Sequence, residues 1–330
     1  MENRSLIFSI LREHEVTKDA KSLGIYLWTL IPFLLLITLN SFLYPFLHWF
    51  TLILAIPSGM LLCRFFVIQH DCGHYSFFTE RKHNKLAGLI LGFFTLVPSR
   101  VWNYIHDTHH GKVGNLDERK ANPELWTMTV QEYKNASFLK RFLYRIFRSM
   151  IMRLFITPLI WMLAPRIPIP QFGSKILSSV MAHNVIYAAI MYVIISKDVL
   201  LPFVIIYLLP VYLFNFMASI MFYLQHQFET TSWENDPTWD LYTASIHGSS
   251  YVKTGRFMSW LTGNVGCHHI HHLNTKIPHF ELPSATEKVQ SYVDVDVIYL
   301  KDLFHHLNCV LWDEDRKRLI PFSELKKQVR

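Results

Sequence analysis

Between Lys21 and Arg64 the chain runs 42 residues without an Asp, Glu, Lys or Arg. As one helix this stretch would be roughly 63 Å long, at 1.5 Å per residue. The hydrocarbon core of a bilayer is only about 30 Å thick, so the stretch is expected to cross and return, with Asn40, Ser41 and Pro45 as turn material. A second apolar block runs from Ile176 to Ser196, is interrupted by Lys197 and Asp198, and resumes from Val199 to Phe228. It reads as a second hairpin folded at the two charges. Only 17% of the 330 residues are charged and 51% are hydrophobic, which excludes a disordered chain. Four cysteines are too few for a disulfide scaffold. A soluble protein with a buried helical core is the competing reading, but soluble helices rarely run about 20 residues without a charge.

The expected fold class is all-α integral membrane. It has four transmembrane helices in two hairpins (about 24–43, 47–68, 177–196 and 200–224) and a helical cap formed by 69–176 and 225–330. The chain is expected to be a single domain over 1–330. Lys and Arg number 4 in residues 1–21, 16 in 64–175 and 11 in 253–330, leaving only Lys197 for the other side. The positive-inside rule then makes the cap and both termini cytoplasmic. The net charge of +7 falls mostly on that face, which suits anionic headgroups or an acidic protein partner. No nucleic acid partner is expected. The first 21 residues mix acids and bases and show no signal-peptide pattern. Leu86–Pro98 and Met150–Pro165 are too short or too interrupted to span and read as interfacial segments. Cys63, Cys72, Cys267 and Cys309 form no CxxC pair and read as small buried residues.

The 18 histidines are not scattered. His70 and His74 are four apart at the end of the second expected span. His106, His109 and His110 form an HxxHH group, His226 ends the fourth span, and His268, His271 and His272 form another HxxHH group. Residues three or four apart share a helix face, which is how helices present imidazoles to a metal. Nine imidazoles suit a pair of ions better than one. Thiolate-free ligation fits iron, zinc, copper or nickel. His269 breaks the spacing and is left out. His14, His48, His83, His183, His247, His279, His305 and His306 are read as ordinary residues. A metal site where cytoplasm meets acyl chains suggests oxidation of a hydrocarbon-like substrate by O₂, since no side chain removes hydrogen from an unactivated methylene. No dinucleotide fingerprint and no haem-attachment motif is seen, so a separate electron carrier is implied.

His-Asp-Cys-Gly-His at 70–74, His-Asp-Thr-His-His at 106–110 and His-His-Ile-His-His at 268–272 resemble the three histidine boxes of the membrane fatty acid desaturases. The likeness continues through 115–119, 126–133, 222–229, 248–251, 261–266 and 312–316. It is nearest to the bacterial acyl-lipid branch of the Bacillus phospholipid delta-5 type. The resemblance implies a di-iron centre held by His70, His74, His106, His109, His110, His226, His268, His271 and His272, with O₂ as co-substrate. Zinc is able to replace iron in such a site. It also implies a cis double bond in acyl chains of membrane phospholipid, electrons from ferredoxin or flavodoxin, and residence in a bacterial cell membrane. The second box differs from the HRRHH and HSIHH forms, at positions that are not ligands. Asn264 is a candidate counterpart of an Asn found near one iron in related enzymes. Asp71, Asp107, Asp117, Glu229 and Asp240 are candidates to orient imidazoles. Trp102, Tyr104, Phe222, Tyr223 and Trp260 are candidates to line an acyl slot. A lipid, alkane or carotenoid hydroxylase on the same scaffold is the enzyme alternative. A metal transporter is the alternative from another class, disfavoured because the spans hold almost no polar ligands.

Overall fold

The computed structural model describes residues 4–119 and 126–325. It begins with α1 (Arg4–Arg12), followed by the apolar α2 (Asp19–Gly73), whose helical dihedrals fail at Leu47 (φ −138°, ψ 51°). There the chain reverses. The Phe33 and Phe65 rings lie 5.0 Å apart, whereas an unbroken helix would hold them about 48 Å apart. The ends of the two legs are also tied together, with the Asp19 carboxylate accepting from the Thr79 backbone at 2.8 Å and its hydroxyl at 2.7 Å. The break falls two residues after Pro45, whose ring opposes continued helix and whose nitrogen donates nothing. Asn40 and Ser41, expected in the turn, stay helical. The Ser41 hydroxyl donates back to the Ile37 carbonyl at 2.8 Å, a bond that a helix accommodates.

The next two helices, α3 (Arg81–Phe94) and α4 (Ser99–Lys112), meet at a bend of 104°. The bend is made by Leu96, at φ +62°, and Pro98. A short α5 (Val130–Asn135) opens on a capping box between Thr129 and Glu132. It leads to the amphipathic α6 (Phe138–Phe147), then through a π-type turn at Met152–Ile156 to α7 (Thr157–Leu163), with a bend of 56°. The second hairpin follows. α8 (Ser174–Ser196) turns at Lys197 and Asp198, the latter at φ +54°. The chain returns as α9 (Leu200–Phe203), a π-type turn at Val204–Leu208, and α10 (Leu209–His226). The π register occurs where Pro210 lacks the N–H that would bond Ile206.

Three helices among the described residues are long and apolar enough to cross a membrane, and α2, folded back, supplies two legs. The molecule is thus a mostly helical, multi-span membrane protein with its apolar legs in two hairpins. The hairpins join along a core that includes Phe33, Leu62, Phe65, Leu91, Val211 and Phe214. The cap adds α11 (Leu241–His247), α12 (Arg256–Leu261), α13 (His268–Leu273) and α14 (Leu282–Val289). Among the described residues it also contains five strands of two or three residues, which the sequence reading does not anticipate. β1 (Met128–Thr129), parallel to β4 (Leu311–Asp313), and β5 (Arg318–Ile320), antiparallel to β4, make one sheet. β2 (Tyr251–Lys253) and β3 (Val297–Tyr299) pair in parallel as another. Segments this short cannot develop the period-2 alternation that marks a strand. All four cysteines are buried and free.

The two hairpins approach closely at Gly59. A Cβ there would lie 2.9 Å from Leu213 Cβ and 3.0 Å from the Pro210 carbonyl. Gly59→Val is therefore expected to push α2 off α10 and cost about 1–3 kcal/mol, the usual penalty for overpacking. Thermal unfolding of the detergent-solubilised protein should register this as a lowered midpoint.

Candidate dimetal centre

Four separate elements deliver the nine histidines to one place. His70 lies in the last turn of α2 and His74 caps it; His106, His109 and His110 lie on α4; His226 ends α10; and His268, His271 and His272 lie on α13. All nine converge, in two groups. His70, His74, His106, His110 and His271 form one, and His109, His226, His268 and His272 the other. Within each group the nitrogens lie within 4.8 Å of one another. The helical spacing sorts them. Pairs four apart (His70 and His74, His106 and His110, His268 and His272) stay together. His109 and His271, three residues after a neighbour, face the opposite group. Helices α4 and α13 therefore each serve both groups. The groups adjoin, with the His110 and His272 rings 4.2 Å apart.

The nitrogen contacts test whether metal fits. In the first group His110 Nε2 lies 3.0 Å from His106 Nε2 and 3.0 Å from His271 Nε2. In the second, His226 Nε2 lies 3.0 Å from His109 Nε2 and 2.8 Å from His268 Nε2, and His272 Nε2 lies 3.1 Å from His268 Nε2. His226 fixes the interpretation. Its Nδ1 faces the Gly248 carbonyl at 3.0 Å. A carbonyl only accepts, so Nδ1 carries the proton and Nε2 presents a lone pair. Lone pairs brought together in a buried space call for a cation between them. Two nitrogens bound at right angles to one ion, each about 2.0–2.1 Å from it, would be about 2.8–3.0 Å apart, as these are. Burial keeps the rings in the neutral form that binds metal. It holds His74 down at about 3 and His268, His271 and His272 well below the usual imidazole range, with neighbouring imidazoles adding to the effect on all four. Burial also raises the Cys267 thiol to about 11, so the sulfur beside His268 stays protonated. His269, left out on spacing, is buried near the Tyr251 ring at 5.8 Å and belongs to neither group.

The expected supporting residues divide. Asp71 Oδ1 lies 3.4 Å from His70 Nδ1, and Asp107 lies 3.8 Å from His74 Nδ1. Asp117, Glu229 and Asp240 are engaged elsewhere. Asp117 accepts from Asn235 and the Asp236 backbone; Glu229 binds His305 and Arg318; Asp240 caps α11 and binds Arg4. Asn264, at φ +56°, donates to the His279 carbonyl at 3.2 Å rather than to an imidazole. His279, read from the sequence as ordinary, lies next in line. Its Nδ1 and its backbone N–H meet Asp71 Oδ2 at 2.7 and 2.8 Å. The only signal for it was a Pro-His pair shortly after the last box. Gly248, which fixes His226 through its backbone, lies in the family-like string 248–251, but nothing in its chemistry signals that role.

Of the aromatic candidates, two touch the site. Trp102 stacks on His106 at 4.9 Å, and Phe222 packs against His109 at 5.3 Å and His226 at 5.1 Å. Tyr223 is hydrogen-bonded to Arg153. Tyr104 packs on Phe172 and Trp260 under Arg64, both half-exposed.

Apolar hairpins carrying a buried, all-imidazole site for two ions define a membrane-embedded dimetal protein. Residues 46–300 match the profile of the Fatty acid desaturase family, and the chain belongs to that family. It is therefore an O₂-dependent oxidoreductase with a histidine-box dimetal site. It is 32% identical to a fatty acid desaturase of Bacillus subtilis (strain 168), over 87% of this chain and 85% of that one. It is 27% identical to the sn-1 oleoyl-lipid 12-desaturase of Anabaena variabilis, over 73% and 69%. To the sn-1 acyl-lipid omega-3 desaturase (ferredoxin) of Nostoc sp. (strain 36) it is 25% identical, over 76% and 69%.

Because the groups share no histidine, they should empty separately. His226→Ala is expected to lower bound metal from about two ions per chain to about one, and elemental analysis of purified protein checks this. Unchanged metal content would contradict the grouping.

Proposed function

We propose that this chain is a di-iron acyl-lipid desaturase that introduces a cis double bond, at the delta-5 position, into acyl chains of membrane phospholipid. The five-histidine and four-histidine groups hold one iron each. The observation that carries the proposal is the convergence of nine Nε2- or Nδ1-bearing rings into two adjoining groups at the ends of apolar hairpins. Iron bound there would supply the O₂-dependent oxidising power that an unactivated methylene demands.

The protein's own part is placement. Gly248 and Asp71 set the orientation of His226 and His70. Trp102 and Phe222 wall the two groups with aromatic faces and offer apolar surface to an acyl chain. Burial of the rings keeps water from the oxidising site. Electrons come from ferredoxin or flavodoxin, in keeping with the ferredoxin in the name of the Nostoc relative. Both termini and the cap face the cytoplasm, following the distribution of Lys and Arg. The sharply bent α3–α4 and α6–α7 segments lie along that membrane face.

Gas chromatography with mass spectrometry of fatty acids from a host expressing the chain tests the proposal. It predicts a new cis double bond at carbon 5 of phospholipid acyl chains, absent when His109 is changed to Ala. A hydroxylated product, or unchanged lipids from an inserted and metal-loaded protein, would refute it.

A further inference from the structure

Beside the dimetal centre are two buried arginines that the chemistry above does not use. Arg148 is 2% exposed and Arg153 9% exposed. Among the described residues their hydrogen-bond partners are neutral. Arg148 donates to the Gln227 side chain and to the Cys309 carbonyl, and Arg153 to the Tyr223 hydroxyl and the Ser149 carbonyl. Nε and Nη1 of Arg148 are buried without a partner. Other arginines of the cap do have carboxylates, such as Arg119 on Glu132 at 2.6 Å and Arg316 on Glu324 at 2.8 Å. Arg64, also buried, lies over the half-exposed Trp260 ring at 4.3 Å, and Arg153 and Arg148 lie over the Tyr223 ring at 4.8 and 5.6 Å. Ring faces offset only part of the cost of burying two adjacent cations that have no carboxylate partner among the described residues, and an anion would relieve the rest.

A cavity of about 20 Å³ lies between them, lined also by Thr157, Trp161, Ser219 and Phe222. That space admits one oxygen-sized group. Beside it the segment from Met152 to Leu163 exposes Phe155, Leu159 and Leu163, an apolar face suited to acyl chains. Phe222 forms a wall of the cavity and also packs on His109 and His226. One ring therefore separates the cations from the second histidine group.

We propose that Arg148 and Arg153 form a subsite for a phosphodiester oxygen of the lipid substrate, which sets how far the acyl chain reaches past Phe222 to the metal groups. This rests on the acyl-lipid reading above and deepens it. Guanidinium is the side chain best matched to phosphate oxygens. An anchor one ring away from the site places carbons near the ester, rather than the chain's far end, at the histidines, as a delta-5 position requires.

The test uses the full chain, metal-loaded and delipidated in an uncharged detergent. Thermal unfolding is followed on adding phosphatidylglycerol, diacylglycerol with the same acyl chains, or inorganic phosphate. Phosphatidylglycerol is expected to raise the unfolding temperature, and the other two are not. Arg153→Gln should weaken the lipid response about thirtyfold or more in lipid concentration with metal content unchanged. Ser219→Val, which fills the cavity and leaves both guanidiniums in place, should do the same and carries the test if Arg153→Gln fails to fold. An equal rise with diacylglycerol would overturn the subsite, and so would an equal rise with inorganic phosphate, which would mark a free-anion site. A full lipid response in Ser219→Val would overturn it as well. Fatty acid analysis of the parent protein's membranes is read separately. Absence of a new double bond there overturns the function proposed above, whereas loss of phosphate dependence overturns the subsite.

Discussion

Imidazole nitrogens crowded to about 3 Å with their protons on the far side of the ring repel one another unless a cation lies between them. That condition shapes most of this molecule. The rings come from four elements distant in sequence, so the hairpins must hold their ends in register. The bend at Leu47 returns the second leg of α2 to the first, and the turn at Lys197 and Asp198 returns α10 beside it. The ends that meet carry His70, His74 and His226. α4 and α13 then close over them, each giving rings to both groups.

Around the rings, fixed neutral and acidic oxygens decide which nitrogen faces inward. The Gly248 carbonyl does so for His226, and Asp71 approaches Nδ1 of His70. Asp71 is itself held by both the side chain and the backbone of His279, and the His279 carbonyl accepts from Asn264. The approach of this loop to α2 is close. A Cβ at Gly263, which sits at φ +55°, would lie 2.4 Å from a Val67 methyl. Glycine is thus required there both by conformation and by space. Such layered support orients the rings ahead of any ion, which would lower the cost of assembling a metal site there.

Much of this was legible in the sequence, because helical spacing and freedom from charge are local signals. The uncharged run after Lys21 gave the first hairpin and the Lys197-Asp198 pair the second. The HxxxH and HxxHH spacings singled out eight of the nine rings that converge, and the ninth, His226, stood out by its place at the end of the fourth span. Spacing did not reveal that His109 and His110, side by side in sequence, belong to different groups, since that depends on how α4 lies between its neighbours. Sequence proximity also misled for Asp117, Glu229 and Asp240, whose carboxylates go to nearer cations and backbone donors. The roles of His279 and Gly248 were not legible for the converse reason. Their roles arise from contacts across 208 and 22 positions of chain, respectively, and no local pattern records such contacts. The short strands of the cap exist only as pairings between remote segments.

X-ray absorption at the iron edge of the iron-loaded protein decides whether the nine rings hold two ions. Two irons per chain are expected, each surrounded by nitrogen or oxygen at about 2.0–2.2 Å with imidazole outer-shell scattering. A sulfur neighbour at about 2.3 Å, from Cys72 or Cys267, or a single iron per chain at saturation, would contradict it.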